Sequence, residues 1–356
     1  MNSIGRKVLR MKRLNIMVIF GGKSGEHEVS LMSVTSILNV MNRERYNIIP
    51  VGITKDGIWK VYNGPIEKIA TGEWEELGEN RDVFSLCQDN REKIDIVFPV
   101  LHGPFGEDGR IQGLLEMLNV PYVGAGVMAS AIGMDKVITK QLCSVEDMPQ
   151  AEYIVMMEKS YAAKGILYIV EVEEKLGYPV FVKPANLGSS VGISKARNRK
   201  ELVESIHLAF KHDRKIVIEE FINGREIECS VLGNDEAKAS VLAEIIPSNE
   251  FYDYQDKYID GNSRFQIPAD LPKDITEEIQ NLAIKVYKLL DCCGLARVDF
   301  FVEKESNKVY FNEINTMPGF TQISMYPKMW EATGIGYEEL IDKIIDLGME
   351  RFKERA

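Results

Sequence analysis

The chain has 356 residues, room for two or three domains at about 150 residues each, which excludes a disulfide-stapled miniprotein. An apolar content of 45% with 27% charged residues is that of a globular protein, not a disordered chain. The 54 acidic residues outnumber the 43 basic ones for a net charge of -11, so no concentrated basic face is available for phosphate and nucleic acid is excluded as the main partner.

The basic stretch Arg6 to Arg13 precedes the apolar run Leu14 to Phe20. That run contains Asn15, ends at Gly21-Gly22 and has no small-residue cleavage site, so it reads as a first buried strand and not as a signal peptide. No stretch approaches the length of about eighteen apolar residues that a membrane span needs. Cys87, Cys143, Cys229, Cys292 and Cys293 form an odd set without CxxC or metal-ligand spacing, which predicts reduced thiols and a cytoplasmic location.

Strands are predicted at Leu14 to Phe20, Tyr46 to Ile53 and Ile94 to Val100, and a helix carrying Ile111, Leu114, Leu115 and Leu118 on one face. This alternation predicts an open, largely parallel α/β sheet. Lys55 to Arg91, with Gly57, Gly64, Gly72, Gly78 and many charges, reads as turns and a hairpin outside the core. Helices near Lys136 to Ser144 and Arg199 to His212, with strands Val180 to Pro184 and Ile216 to Phe221, predict a smaller α+β unit. Beyond Gly224 come strands Ile227 to Leu232 and Ala239 to Ile245, a polar loop Pro247 to Phe265 and a helix Ile275 to Leu290. Strands Leu295 to Val302 and Val309 to Asn315 follow, and a helix Tyr337 to Phe352 is expected to close this third unit.

The last strand pair carries the strongest chemical signal. Alternation puts Arg297 and Asp299 on one face and Glu313 and Asn315 on one face. A turn pairing Asp299 with Glu313 also pairs Arg297 with Asn315, leaving Val298, Phe300, Val302, Tyr310 and Ile314 as the apolar face. Such hard oxygen donors suit Mg²⁺ or Mn²⁺; the alternative is a solvated charged hairpin. The Thr316-Met317-Pro318-Gly319 turn adds backbone donors beside them. VKPANLGSSVG, Val182 to Gly192, sets Lys183 before a glycine-serine loop suited to phosphate oxygens, though such loops are also plain connectors. GGKSGEHEVS, Gly21 to Ser30, lies where the first strand hands over to the first helix. Glu26 there can hold a ligand ammonium or merely complement a helix N-terminus. HGPFGEDGRIQG, His102 to Gly113, follows another strand end, and His102 is either a substrate contact or a structural histidine. Neither GxGxxG nor zinc-ligand spacing is present.

Together these four motifs, in this order, resemble the D-alanine–D-alanine ligases of the ATP-grasp superfamily from about Leu14 to the last helix. The resemblance implies an α/β fold: an N-terminal open parallel domain (14–124), then a two-part α+β ATP-grasp fold comprising a small central unit (125–223) and a C-terminal unit (224–352). It implies that Lys136, Lys183 and Lys257 contact the ATP phosphates. Glu219, Glu220, Phe221 and Ile222 would line the adenine pocket, and Glu226 would bind ribose. Asp299, Glu313 and Asn315 would hold two Mg²⁺ or Mn²⁺ ions. Glu26 with His102 would receive the first D-alanine, Ser324 and Met325 the second, while Arg297 and the Gly319 N–H stabilise the oxyanion. Ser189 and Tyr258 would join Glu26 in a hydrogen-bonded group, and a tyrosine at 258 favours D-alanine over D-lactate as second substrate. His27 and Phe311 depart from the family's usual residues. The implied partners are ATP and D-alanine, in a cytoplasmic homodimer; D-lactate or D-serine ligases of the same fold are the near alternatives.

Overall fold

The structure is a computed structural model and describes residues 13–88, 93–246, 264–321 and 323–354. The first part runs β1 (Leu14–Gly21), α1 (His27–Val40), β2 (Tyr46–Ile53), β3 (Trp59–Val61), α2 (Glu67–Ala70), α3 (Trp74–Leu77), β4 (Glu79–Asn80), α4 (Val83–Gln88), β5 (Ile96–Val100) and α5 (Arg110–Met117). The sheet order is β4-β3-β2-β1-β5. β1 lies parallel to both β2 and β5, and β3 and β4 extend the sheet antiparallel. Ile16 to Phe20 are fully buried, as a strand covered on both faces requires. The 55–91 stretch departs from expectation: the hairpin exists, yet Tyr62, Ile69 and Trp74 sit in the core, with Trp74 edge-on to Phe20 at 4.9 Å. Polar spacing in the sequence hid three anchors that reach the sheet from an otherwise charged loop.

Next come α6 (Val127–Met134), α7 (Lys136–Val145), β6 (Tyr153–Met157), α8 (Glu158–Lys175), β7 (Val180–Pro184), β8 (Ser194–Ala196), α9 (Arg199–Phe210) and β9 (Lys215–Glu220). The strands pair antiparallel in the order β6-β9-β7-β8. Asp135 caps α7 by accepting from the Val137 and Ile138 N–H groups, and Asn198 caps α9 through the Glu201 N–H. Sequence periodicity missed α8. Lys164 leaves helical geometry inside it (φ -136°), so no single apolar stripe runs its length.

The last part comprises β10 (Gly224–Gly233), β11 (Lys238–Ile246), β12 (Arg264–Gln266), α10 (Lys273–Leu289), β13 (Gly294–Glu303), β14 (Val309–Asn315), α11 (Met325–Thr333) and α12 (Tyr337–Glu354). Its antiparallel sheet is ordered β12-β11-β10-β13-β14. The register pairs Arg297 with Asn315 and Asp299 with Glu313, as alternation predicted. Beyond that pair the register shifts, so that Phe300 faces Phe311 and Tyr310 faces Phe301. Phe311, not Tyr310, therefore completes the apolar face and is buried against the edge of Phe300. The final helix corrects another expectation: Leu340, Ile341, Ile344 and Ile345 join the core of the N-terminal sheet, so α12 closes the first part of the chain at least as much as the third.

Candidate active site

The Ser24-Gly25-Glu26 turn between β1 and α1, the His102 loop after β5, the Gly188 loop after β7 and the β14–α11 turn converge on one cavity of about 480 Å³. Four glutamates line it, Glu26, Glu107, Glu228 and Glu313, against Lys136 and Arg297. That excess of carboxylates suits a cationic ligand, either an ammonium or a divalent ion.

At one end Ser189 Oγ donates to Glu26. Ser189 and Ser190 both adopt left-handed backbone (φ 49° and 58°), which turns the hydroxyl toward that carboxylate. Glycine is required around it, since a Cβ at Gly103 (φ 69°) would lie 2.2 Å from Glu26 Oε2. Ser24 Oγ ties this turn to the next by donating to the His102 carbonyl at 2.7 Å. His102 itself lines the cavity with both ring nitrogens engaged: Nδ1 lies 3.1 Å from the Met317 carbonyl and Nε2 2.9 Å from Ser33 Oγ. Burial pushes it down to about 4 against the Met317 hydrogen bond, so the ring is neutral, with Nδ1 donating.

At the other end lies the strand pair. Arg297 forks onto Asp299, with Nε and Nη2 at 2.7 and 2.6 Å from the two carboxylate oxygens, and its Nε is 3.1 Å from Glu228. Burial disfavours the guanidinium charge, but Asp299 and Glu228 outweigh it and hold the group charged. Asn315 Nδ2 donates to Asp299 at 3.1 Å, and Glu313 lies 3.4 Å from Lys136 Nζ. Among the described residues no three His, Cys, Asp or Glu side chains form a metal cluster. Two carboxylates and an amide oxygen instead make a partial set of hard donors, which fits Mg²⁺ or Mn²⁺ completed by phosphate oxygens.

The central unit contributes a lysine pair, Lys140 from α7 and Lys183 from β7. Glu219, buried on β9, lies 3.1 Å from Lys140 Nζ and 2.5 Å from Lys183 Nζ. Burial raises its carboxyl, but the two ammonium groups outweigh that and hold it at about 2. Lys183 also donates to Asn312 at 3.3 Å, and Lys136 Nζ donates to the Leu187 carbonyl at 2.7 Å, linking the central sheet to β14 and the Gly188 loop. Glu220 accepts from the Glu152 N–H at 2.9 Å, and Phe221 packs against Phe181 beneath Lys195, whose Nζ is 3.6 Å from the ring centroid. Ile222 ends this segment, its carbonyl accepting from the Gly224 N–H, and Glu226 lies on β10 opposite Phe301. Gly319 and Ser324 face each other across the turn, where a Cβ on Gly319 would lie 2.8 Å from Ser324 Oγ. The Ser324 hydroxyl accepts from the Thr321 N–H at 3.0 Å, and Met325 begins α11 at the cavity wall. Lys257 and Tyr258 lie outside the described residues.

Sequence reading did not single out Glu107, Lys140 or Glu228. Lys140 lies one helical turn past Lys136, Glu228 two residues past Glu226 on one strand face, and Glu107 inside HGPFGEDGRIQG, so spacing held a signal for each. Glu107 accepts from the Gly103 N–H at 2.8 Å, and burial followed by the nearby Glu26 pushes its carboxyl up.

Two antiparallel sheets, one bearing the buried Lys183 and the other a carboxylate pair, set beside an α/β domain that walls the same cavity as that pair, define an ATP-grasp ligase. The D-ala D-ala ligase N-terminus pattern matches residues 15–125 and the D-ala D-ala ligase C-terminus pattern residues 142–346. The chain belongs to the D-alanine–D-alanine ligase family. It is 53% identical to the D-alanine–D-alanine ligase of Acetivibrio thermocellus, with 95% of this chain and 96% of that one covered. It is 52% identical to that of Caldicellulosiruptor bescii, with 97% and 98% covered. Among solved structures, the D-alanine-D-alanine ligase from Coxiella burnetii superposes with a TM-score of 0.84 at 37% identity, covering 97% of this chain and 96% of that one. The VanG D-Ala:D-Ser ligase from Enterococcus faecalis superposes with a TM-score of 0.85 at 39% identity, covering 95% and 100%.

Proposed function

We propose that this protein joins two D-alanine molecules at the expense of ATP, through a D-alanyl phosphate, giving D-alanyl-D-alanine for peptidoglycan precursor synthesis. The observation that carries this reading is the convergence of Glu26, Lys136, Arg297, Glu313 and Gly319 on one cavity. A carboxylate is a poor electrophile, so one of its oxygens must first take the γ-phosphoryl of ATP, after which the amine attacks the acyl carbon and expels inorganic phosphate. Glu26 holds the ammonium of the first D-alanine, with Ser189 and Tyr258 fixing the orientation of its carboxylate. Lys136, Lys183 and Lys257 offset the phosphate charge, Glu219 to Ile222 border the adenine, and Glu226 binds ribose. Asp299, Glu313 and Asn315 would hold two Mg²⁺ or Mn²⁺ ions, which when bound would offset negative charge on the phosphates. Arg297 and the Gly319 N–H then bind the oxyanion formed by amine attack; one such donor is typically worth about 10²–10³ in rate. Ser324 and Met325 receive the second D-alanine. His102, with both nitrogens committed, steadies the Met317 turn beside the first substrate. The domains divide at 14–124, 125–223 and 224–352, and the protein works as a cytoplasmic homodimer.

The likeness to a D-Ala:D-Ser ligase favours D-serine as a second reading for the acceptor. A coupled phosphate-release assay with product mass determination decides between them. D-alanine with ATP and Mg²⁺ is expected to release phosphate and yield the D-Ala-D-Ala mass, and L-alanine none. A product mass dominated by D-Ala-D-Ser in an equimolar mixture of acceptors would install the second reading. No phosphate release with any acceptor would overturn both.

A further inference from the structure

We infer that Lys140 is a positioning residue for the nucleotide: paired from α7 with one oxygen of Glu219, it leaves the other oxygen to hold Lys183 and gives the trio the surplus positive charge that faces the ATP phosphates. This rests on the ligase reading above, which sets Lys183 against those phosphates, and extends it to a side chain to which that reading gives no part.

Lys140 lies on α7 and, at 1% exposure, is too deeply buried to touch a nucleotide itself. Its Nζ is 3.1 Å from Glu219 Oε1 and 5.3 Å from the centre of the Tyr153 ring, and Tyr153 is the residue that β6 pairs with Glu219. Among the described residues that ammonium makes no regular hydrogen bond, so charge and the ring face are what hold it. Burying an ammonium on such terms is costly. The compensation lies on the other side of Glu219, whose Oε2 is 2.5 Å from Lys183 Nζ, while Asn312 on β14 accepts from that same lysine at 3.3 Å. Glu219 alone would place Lys183 but also cancel its charge, leaving a neutral pair with little attraction for a phosphate. With Lys140 on the first oxygen, the three side chains carry one net positive charge in surroundings of low dielectric, where it acts strongly on an anion. Position and charge are thereby obtained together. The start of α7 is fastened separately: Asp135 caps it and pairs with Lys215 on β9, and the Lys136 N–H donates to the Ala185 carbonyl at 3.0 Å. Loss of the Lys140 charge therefore leaves Lys136, the other lysine of α7 set against phosphate, where it is.

Two neutral replacements test the inference: Lys140→Met, and Lys140→Gln, whose amide can still donate to Glu219 and so keeps that carboxylate partnered. Lys140→Arg is the charged companion. Removing one charge several ångströms from a phosphate in such surroundings is worth at least about tenfold in affinity. The Kd of ADP, measured by calorimetry without turnover, should therefore rise at least about tenfold in both neutral variants. The KM for ATP should rise with it, while the KM for D-alanine stays within about twofold. Lys140→Arg should recover part of the loss. Adenosine carries no phosphate, so its Ki should stay within about twofold of wild type in every variant. All proteins are compared below their melting transitions, recorded by circular dichroism. An ADP Kd within about twofold of wild type in either neutral variant overturns the inference. So does an equal loss of ADP and adenosine binding, because Lys140 would then shape the adenine pocket or the fold and not act on phosphate. The wild type separates the two claims: ADP binding without synthesis of D-Ala-D-Ala counts against the ligase reading, while the contrast between ADP and adenosine still judges Lys140. Wild-type protein that binds no ADP overturns both.

Discussion

At Glu219 burial and charge pull in opposite directions, and charge wins because two ammonium groups face one carboxylate. A folded-state value near 2, against an ordinary 4.5, means the folded protein binds that proton less readily than the unfolded chain. The pair therefore stabilises the fold above pH 4.5, and this contribution fades as the pH falls from there toward 2. Removing one partner from a buried pair costs about 3–5 kcal/mol. Lys140→Met should fall near the low end, since Lys183 remains. Urea unfolding at pH 7 and at pH 3 checks this: the deficit of the variant should be largest at pH 7 and smaller at pH 3. An equal deficit at both values would show that Lys140 acts by packing alone. For function, the same pair fixes Lys183 where it also reaches Asn312 on β14, so the stability device spans the cleft proposed to grip ATP.

Among the elements, the 55–91 stretch shows how a charged segment still carries core. Trp74 closes over Gly52, where a Cβ would come within 2.1 Å of the indole ring. The glycine next to the end of β2 is thus a consequence of the tryptophan above it. Trp74→Ala should cost about 3–5 kcal/mol as a large-to-small core change, measured by denaturant unfolding followed by circular dichroism; a loss under about 1 kcal/mol would mean the site collapses to fill the void. The same stretch marks where the sequence was illegible, because Tyr62, Ile69 and Trp74 are separated by turns and follow no helix or strand period. By contrast β7 and β14 were legible to the residue, β7 as a short valine-rich run ended by proline and β14 as a strand of alternating faces that begins after an asparagine turn. The Asp299–Glu313 register could be read from alternation, but the shift beyond it could not, since a bulge changes phase without changing residue type. Within the site, motif residues were legible one by one. Pairings such as Lys140 with Glu219 were not, because they join α7 to β9 only after the chain has folded.

Over the whole molecule the two ends of the chain are stitched together. Arg45 meets Asp342 at 2.6 Å and Asp346 at 3.0 Å, and the Tyr46 hydroxyl donates to Asp342 at 2.6 Å. Farther along α12, Arg351 donates to the carbonyls of Gly124 and Tyr122 at 2.7 and 3.3 Å and lies over the Tyr122 ring. Gly348 permits that approach, since a Cβ there would lie 2.8 Å from the Tyr122 carbonyl. Gly124 in turn backs onto Met317 and Gly294. The helix thus braces the N-terminal sheet against β13 and the turn that carries Gly319, which keeps the two walls of the cavity in register. Arg351→Ala should cost about 1–3 kcal/mol for each buried carbonyl left without a donor. Trp74 and Trp330 belong to the core that α12 completes, so intrinsic fluorescence reports the loss. A single transition shifted to lower urea is expected, with fluorescence and circular dichroism coinciding. If the fluorescence change separates from the loss of secondary structure in the wild type as well, the N-terminal sheet unfolds on its own and the brace couples nothing. An unchanged midpoint would show that the carbonyls find water and that α12 is held by its apolar face alone.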